Sequence, residues 1–151
     1  MNTMLGYYKN EEATRAVLDA DGWYHTGDLG TMSADGHVFI RGRIKNMLLG
    51  SNGQNVYPEE IEDKLNSMAY VNESLIVQKG DKLIGLVHPD YDEAKAMDFN
   101  DDDLMSIMEQ NRLKLNEQLP PFCKISELRL HEDEFVKTPK KSIKRYLYKD
   151  V

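Results

Sequence analysis

The first stretch whose residue types can do chemistry is the sequence YHTGD at 24–28. The carboxylate of Asp28 follows a glycine turn, so its two oxygens can accept hydrogen bonds from adjacent hydroxyl groups, as the diol of a ribose offers. A Thr-Gly-Asp sequence more often only closes a turn. On this stretch alone, the structural interpretation is favoured over ligand binding.

A second candidate site lies in residues 42–62, where an arginine leaves a predicted strand and a glycine-bearing hairpin follows. The guanidinium of Arg43 can reach phosphate or ribose oxygens. Gly53, in the sequence NGQNV, lets the backbone approach a thin ligand closely because no side chain stands in the way. A linker followed by an ordinary hairpin and helix would show the same spacing, and the residues alone favour neither interpretation.

The third candidate site is the basic segment FVKTPKKSIKR at 135–145. A mobile basic tail can carry a lysine ammonium to a developing negative charge and stabilise it as a point charge. A basic run is more often a solvated or phosphate-attracting surface. Both interpretations stay open on these residues alone.

The elements that precede the second candidate site are few. Asn10 can cap a helix over 11–18, and the sequence Asp35-Gly36 marks a turn between two strands. The chain is expected to be strand-like from Trp23. These elements have few apolar partners, so residues 1–41 cannot bury a core alone.

From about residue 44, the pattern predicts a small α+β domain with a β-hairpin and a mixed sheet of about three strands packed by helices. The predicted elements are a hairpin turning at 50–53, a helix from Pro58, strands over 74–78 and 83–88, a helix from Asn100 or Asp101 to about 118, and a strand over 125–131. An acidic loop is predicted before the long helix. Residues 138–148 are predicted as a basic tail with a short terminal helix.

The composition excludes several classes of protein. The chain has 151 residues and a net charge of −7, and its basic residues are spread along it, which argues against a nucleic-acid binder. The single cysteine, Cys123, has no internal disulfide partner, and no Cys/His group has zinc spacing. No apolar run is long enough for a transmembrane segment. We expect a cytoplasmic protein, with a peripheral position at the inner membrane face as the alternative.

Taken in this order, the three stretches resemble the adenylate-forming (AMP-binding) superfamily of acyl-CoA synthetases, peptide-synthetase adenylation domains and luciferases. The resemblance covers the chain from Gly6 to about Tyr148. Within the superfamily, GQNVYP at 53–58 and the final TPKKSIKR at 138–145 are most similar to bacterial long-chain fatty acid–CoA ligases. The chain then looks like a C-terminal fragment of such an enzyme.

The resemblance implies a division of the chain and a role for four residues. Residues 1–41 would be the edge of the large AMP-binding domain, 42–46 a hinge, and 47–151 a small mobile domain. The resemblance implies that Asp28 holds the ribose hydroxyls of the nucleotide and that Arg43 is a second nucleotide contact. It also implies Lys45 as the pivot of the hinge and Gly53 as part of the loop that lines the pantetheine tunnel of CoA.

The chain departs from the family pattern at two positions. A carboxylate commonly follows the hinge residue in relatives, whereas this chain has Asn46, so a local ion pair is expected to be missing. Relatives also carry a lysine immediately before the isoleucine of the last motif, and it stabilises the acyl carboxylate and the α-phosphate. Ser142 occupies that position here. Lys141 is the favoured replacement, with Lys140 and Lys144 close by.

The implied reaction joins a fatty acid to CoA with ATP and Mg²⁺, through an acyl-adenylate, with AMP and pyrophosphate as products. The large N-terminal domain of the same chain would be the partner, and the fragment alone is expected to be inactive because it has no phosphate loop and no acyl tunnel. One alternative is another adenylate-forming ligase, for a short-chain or aryl acid or for a peptide-synthetase carrier protein. The other is a non-catalytic binding module with this fold.

Overall fold

The chain divides into two compact units, Met1–Lys45 and Asn46–Val151. The structure, a computed structural model, describes residues 2–50 and 52–149. Ser51, in the predicted turn at 50–53, lies outside the described residues. So do Met1, at the start of the first predicted domain, and Asp150 and Val151, at the end of the last.

The first unit begins with a helix that is shorter than predicted. Helix α1 spans Glu11–Arg15, and the side chain of Asn10 caps it by accepting a 2.9 Å hydrogen bond from the Ala13 amide. The prediction that the helix continues to 18 was wrong. Leu18 instead pairs with Tyr24 in an isolated β-bridge, which takes the backbone out of helical geometry.

The predicted hairpin at Asp35-Gly36 is confirmed. Strands β1 (Asp28–Met32) and β2 (Val38–Arg43) pair antiparallel, and Gly36 has a φ of +87°, which favours glycine. The strand begins at 28 and not at 23, and the isolated Leu18–Tyr24 bridge precedes it. Among residues 2–45, none is buried.

The second unit opens with the predicted short hairpin and helix. Strands β3 (Leu48–Leu49) and β4 (Asn55–Val56) pair antiparallel. Helix α2 (Pro58–Asn66) follows, with the proline in its first turn, where a missing N–H costs nothing. Its apolar face buries Ile61 and Leu65 against the sheet.

A three-stranded mixed sheet forms the centre of this unit, as predicted. Strands β5 (Val71–Lys79) and β6 (Lys82–Pro89) form an antiparallel hairpin, and β7 (Ile125–Leu130) pairs parallel with β6. The strand order is β5-β6-β7, so β5 is an edge strand.

Two helices connect β6 to β7. Helix α4 (Asp101–Glu117) starts at a capping box, in which the Asn100 side chain accepts a hydrogen bond from the Asp103 amide. Asn100 is one of the two residues that were predicted to cap this helix. The predicted acidic loop before it contains helix α3 (Tyr91–Ala96) instead. The side chain of Asp90 caps α3 and Ala94 is buried, so acidic residues that look like a loop form a helix N-terminus.

Side chains of the sheet alternate between two apolar clusters. One cluster packs Ile76, Leu83 and Val87 against α2 and α4. The other packs Leu75, Val77, Ile84 and Leu86 against the end of the chain, and it is completed by Phe135, Ile143 and Tyr148. The basic tail predicted over 138–148 therefore covers one face of the sheet with its apolar residues, and its predicted short terminal helix is present. Its last turn is a 3-10 helix, Arg145–Tyr148.

None of the helices within residues 2–50 and 52–149 combines the length and the apolar character that a membrane crossing requires.

Candidate functional site

Asp28 and Arg43 lie directly opposite each other in the first hairpin. The Nε atom of Arg43 lies 2.9 Å from Oδ1 of Asp28, and both side chains are partly exposed. The register that joins them depends on a β-bulge between Leu29 and Gly30, which moves the pairing of the two strands by one residue. The structure thus brings together two residues that the sequence analysis singled out separately.

The loop before Asp28 is tied to the same arginine. Arg43 Nη1 donates a 2.9 Å hydrogen bond to the carbonyl of Thr26, and the Thr26 hydroxyl accepts from the Asp28 amide at 3.1 Å. The amide of Ile44 donates to the carbonyl of Gly27, whose φ of +74° suits glycine. The carboxylate of Asp28 is therefore held by its neighbours and does not depend on a flexible loop.

The phenol of Tyr24 belongs to the same region of the first unit as Asp28 and Arg43. A hydrogen bond with Tyr7 raises the pKa of Tyr24 above its usual value. A tyrosine phenol is protonated near neutral pH, so Tyr24, the first residue of the YHTGD stretch, is both a donor and an acceptor. Lys45, the predicted pivot, is exposed in the 3-10 helix Ile44–Asn46.

Gly53 lies in the turn between β3 and β4. Its φ is +77°, and its amide donates a 2.9 Å hydrogen bond to the carbonyl of Gly50. A Cβ atom built on Gly53 would meet nothing within 4 Å, so the backbone conformation, and not local crowding, calls for glycine. The space next to the Gly53 backbone is therefore open, and its use by a ligand stays a prediction.

Asn46 has a partner of its own. Its Nδ2 atom donates a 2.7 Å hydrogen bond to Oε1 of Glu59 on α2. The ion pair expected to be missing is replaced by a charge-assisted hydrogen bond, which fixes the start of the second unit to its first long helix.

The basic segment forms a tight turn, here called the terminal hairpin (residues 136–144). The amide of Thr138 donates to the carbonyl of Ser142, and the amide of Lys144 donates to the carbonyl of Val136, each at 2.8 Å. Lys141 closes the turn with its amide bonded to the Thr138 carbonyl and a φ of +61°. A residue in the left-handed region at this point is typical of a three-residue hairpin loop with a bulge.

Three lysines of the terminal hairpin keep their ammonium groups available. Lys140 and Lys141 are exposed beside Ser142, and Lys144 is half-buried. Within the part of the chain that the structure describes, the side chains of these lysines make no hydrogen bond or ion pair. The hairpin thus presents positive charge next to Ser142, the position at which the family resemblance implies a lysine in relatives.

Two ion pairs that the sequence did not predict attach the terminal hairpin and the adjoining Arg145 to β5 and to α2. Arg145 pairs with Glu62 of α2, whose Oε1 also accepts a 2.7 Å hydrogen bond from the Ile76 amide. Lys137 pairs with Glu73 of β5. The available signal was Glu62 itself, a charged residue between the buried Ile61 and Leu65 on the same helix.

A metal centre formed by this chain alone is not present in the described part. Within residues 2–50 and 52–149, no group of three or more His, Cys, Asp or Glu side chains is placed to hold a metal ion.

Comparison with known proteins gives the family. Residues 45–150 match the AMP-binding enzyme C-terminal domain. A Rhodococcus jostii ligase named for joining a methyl-dioxo-octahydroindenyl propanoyl group to CoA is 40% identical over 110 residues, which cover 72% of this chain and 21% of that protein. A long-chain-fatty-acid–CoA ligase from Gallus gallus is 40% identical over 79 residues, covering 52% of this chain and 10% of that one.

A solved structure shows the same fold. The adenylation domain of a carboxylate reductase from Mycobacterium chelonae superposes with a TM-score of 0.83 at 21% identity, over 97% of this chain and 24% of that one. The chain spans about a fifth of the length of the Rhodococcus relative. On its matching residues and its fold, the chain belongs to the AMP-binding enzyme C-terminal domain family of the adenylate-forming superfamily.

Proposed function

We propose that this chain is part of a long-chain fatty acid–CoA ligase. In the first half-reaction, a carboxylate oxygen of the acid attacks the α-phosphorus of Mg·ATP, and pyrophosphate leaves. In the second, the sulfur of CoA attacks the acyl carbon of the adenylate, the acyl–oxygen bond breaks, and AMP leaves. The observation that carries the proposal is the Asp28–Arg43 pair in a chain of the AMP-binding family.

The nucleotide role falls to the first hairpin. The carboxylate of Asp28 is anchored by the Arg43 guanidinium and is still about one-third exposed, so it can accept hydrogen bonds from the two ribose hydroxyls. Arg43 is about half exposed and can contact a phosphate or ribose oxygen while it orients Asp28. The geometry supports one site built by two strands.

The roles of the second unit concern the thiol and the developing charge. The exposed turn at Gly53 supports a close approach of the pantetheine arm of CoA to the backbone. Lys141 is proposed to stabilise the acyl carboxylate and the α-phosphate in place of a lysine at Ser142. Its exposure and its place at the tip of an anchored hairpin support this role.

The hinge is proposed at residues 42–46 with Lys45 as the pivot, between an edge of the large domain at 1–41 and a mobile small domain at 47–151. The compact units Met1–Lys45 and Asn46–Val151 support a division at this point. The hydrogen bond from Asn46 to Glu59 would give the pivot a fixed end.

The acid is the least constrained part of the proposal. The Gallus gallus relative is named for long-chain fatty acids, and this name supports the proposed substrate. The Rhodococcus jostii relative is named for a fused-ring propanoate and matches more of the chain, so a cyclic acid is the second candidate.

The test is ATP–pyrophosphate exchange by the full-length protein with palmitate, octanoate, benzoate and a fused-ring carboxylate. Exchange stimulated most by palmitate supports the proposal, and a preference for a ring acid selects the second candidate. Asp28→Asn should lower exchange by roughly a hundredfold, whereas the charge-matched control Asp81→Asn should leave it unchanged. No exchange with any acid would overturn the assignment to a ligase.

The lysine is tested within the same assay. Lys141→Ala should slow exchange but spare thioester formation from supplied acyl-adenylate, and Lys140→Ala is the neighbouring control. Ser142→Lys should restore exchange in the Lys141→Ala background. The 151-residue chain alone is expected to be silent, because it spans only 21% of the Rhodococcus relative.

A further inference from the structure

The Glu62–Arg145 ion pair attaches the terminal hairpin to the core of the second unit. We propose that Arg145 is a positioning residue, which acts through Glu62 to hold the tip of the terminal hairpin (residues 139–141) in one orientation. Only the role of the tip in adenylation rests on the proposed function. The orientation itself is a property of this chain.

The contacts of the pair join three elements. Arg145 contacts Oε2 of Glu62 on α2, and its Nη1 atom lies 3.5 Å from the carbonyl of Ile76 on β5. The other oxygen of Glu62 accepts from the Ile76 amide at 2.7 Å. Because β5 is an edge strand, these two side chains satisfy backbone groups that β6 does not reach.

The pair is largely removed from water. The side chains of Glu62 and Arg145 are 10% and 20% exposed. Burial raises the pKa of the Glu62 carboxyl, and the Arg145 guanidinium opposes that rise. A buried ion pair of this kind adds little to stability compared with apolar side chains, whereas it can define a single arrangement of the groups that it joins. A positioning role therefore explains the pair better than a stabilising role does.

The terminal hairpin has a second attachment on its other leg. Lys137 pairs with Glu73, which lies on the same edge strand as Ile76. Lys137 and Ile143 are bridge partners, and Arg145 follows that bridge by two residues. One attachment would let the hairpin rotate about it, whereas an attachment on each leg fixes the direction of the tip.

Backbone hydrogen bonds connect Arg145 to the tip of the terminal hairpin. The amide of Arg145 donates to the carbonyl of Ile143 at 3.0 Å, and the amide of Lys144 donates across the hairpin to Val136. Two further bonds, from Thr138 to Ser142 and from Lys141 to Thr138, close the turn. A displacement of Arg145 is therefore passed to Lys141 through the hydrogen-bonded backbone.

The test separates positioning from stability with two variants of the 151-residue chain. Arg145→Met leaves the Glu62 carboxylate buried without its partner and should lower the melting temperature. The double variant Glu62→Gln with Arg145→Met removes both charges and keeps an acceptor for the Ile76 amide, so part of the melting temperature should return.

The decisive readout is amide hydrogen exchange at Lys141 and Ser142. In the double variant we expect exchange at these two amides at least tenfold faster than in the wild type, relative to amides of β6. Exchange unchanged at both amides would overturn the proposal. Arg112→Met is the matched control, because Arg112 pairs with Glu109 on α4 and donates to the Ile125 carbonyl, and among the described residues it makes no hydrogen bond or ion pair with the terminal hairpin. It should leave exchange at the tip unchanged.

In the full-length protein, the double variant should lower kcat for adenylation at least tenfold with little change in KM for ATP, while thioester formation from supplied acyl-adenylate stays intact. Faster amide exchange at the tip together with normal adenylation would support the positioning of the tip and count against the proposed role of Lys141. Normal amide exchange would count against Arg145 whatever the activity, so the two proposals fail separately.

Discussion

The backbone amide of Val136 donates a 2.8 Å hydrogen bond to the phenol oxygen of Tyr148. The ring of Tyr148 is buried and lies edge-on to Phe135, with ring centroids 5.2 Å apart, and to His131 at 5.5 Å. The terminal 3-10 helix is thereby joined to the first leg of the terminal hairpin by one polar contact and one aromatic cluster.

Tyr148→Phe keeps the ring and removes the acceptor. We expect the free energy of unfolding to fall by about 1 kcal/mol, because the Val136 amide is only partly buried and water can replace the phenol. Tyr148→Ala also removes the aromatic contacts and should cost ~3 kcal/mol or more. Urea unfolding of both variants measures the difference. Equal losses would mean that the ring contributes nothing beyond the hydrogen bond.

Lys141→Gly should stabilise the chain. Lys141 has a φ of +61°, a conformation that costs a residue with a Cβ atom roughly 1 kcal/mol and costs glycine almost nothing. We expect a gain of about 0.5 kcal/mol after the greater chain entropy of glycine is subtracted. Lys140→Gly is the control and should be destabilising, since its φ is not positive. A less stable Lys141→Gly would contradict the left-handed conformation. If Lys141→Gly is more stable and yet adenylates slowly, the loss of activity is caused by the missing ammonium group and not by unfolding.

Gly85→Ala should destabilise the sheet by about 1–3 kcal/mol. A Cβ atom on Gly85 would lie 2.5 Å from Cδ2 of Leu128 and 3.4 Å from Cδ1 of Ile76, inside the cluster under α2 and α4. Leu128→Val in the same chain removes the clashing methyl and should restore part of the loss. Thermal unfolding tests both. Unchanged stability in the single variant would show that the cluster can make room for a methyl group.

The Lys137–Glu73 pair should weaken in alkali. The hydrogen bond to Glu73 raises the pKa of Lys137 above its ordinary 10.5. The stabilisation by the charged lysine is therefore complete below 10.5 and is lost as the pH rises through the higher folded-state value. The difference in unfolding free energy between wild type and Lys137→Met should shrink as the pH rises above about 10.5. In a Glu73→Gln background, the difference in unfolding free energy caused by Lys137→Met should not depend on pH. If this difference stays constant at alkaline pH in the chain that keeps Glu73, the pairing is refuted.

Elements with strong local signals were predicted well. Helix α2 has its proline at the start and a clear apolar face, and β5 and β6 flank a glycine turn, so each carries its own evidence. Helix α3 was missed because acidic residues that cap and begin a helix resemble those of a solvated loop. Helix α1 was predicted too long because the Leu18–Tyr24 bridge that ends it is a contact outside the helix.

The candidate site was predicted as separate residues, and the structure supplies two of its connections. Asp28 opposes Arg43 only because of the bulge at Leu29 and Gly30, and the sequence pattern was not used to predict that bulge, although Gly30 inside the strand is a signal for one. The partner of Arg145 is 83 positions earlier in the chain. Local patterns describe neither kind of contact, because both depend on how distant strands and helices come together.

The parallel pairing of β6 with β7 has a consequence for the order of folding. β5 and β6 are joined by a tight turn, so their pairing closes a short loop at little entropic cost. β7 can join only after residues 90–124 have crossed over, which requires α4 to dock on the sheet. We therefore expect the hairpin to form early and β7 to pair later. The face that receives the terminal segment consists of side chains of β5 and β6, so it can form with the hairpin, before β7 pairs.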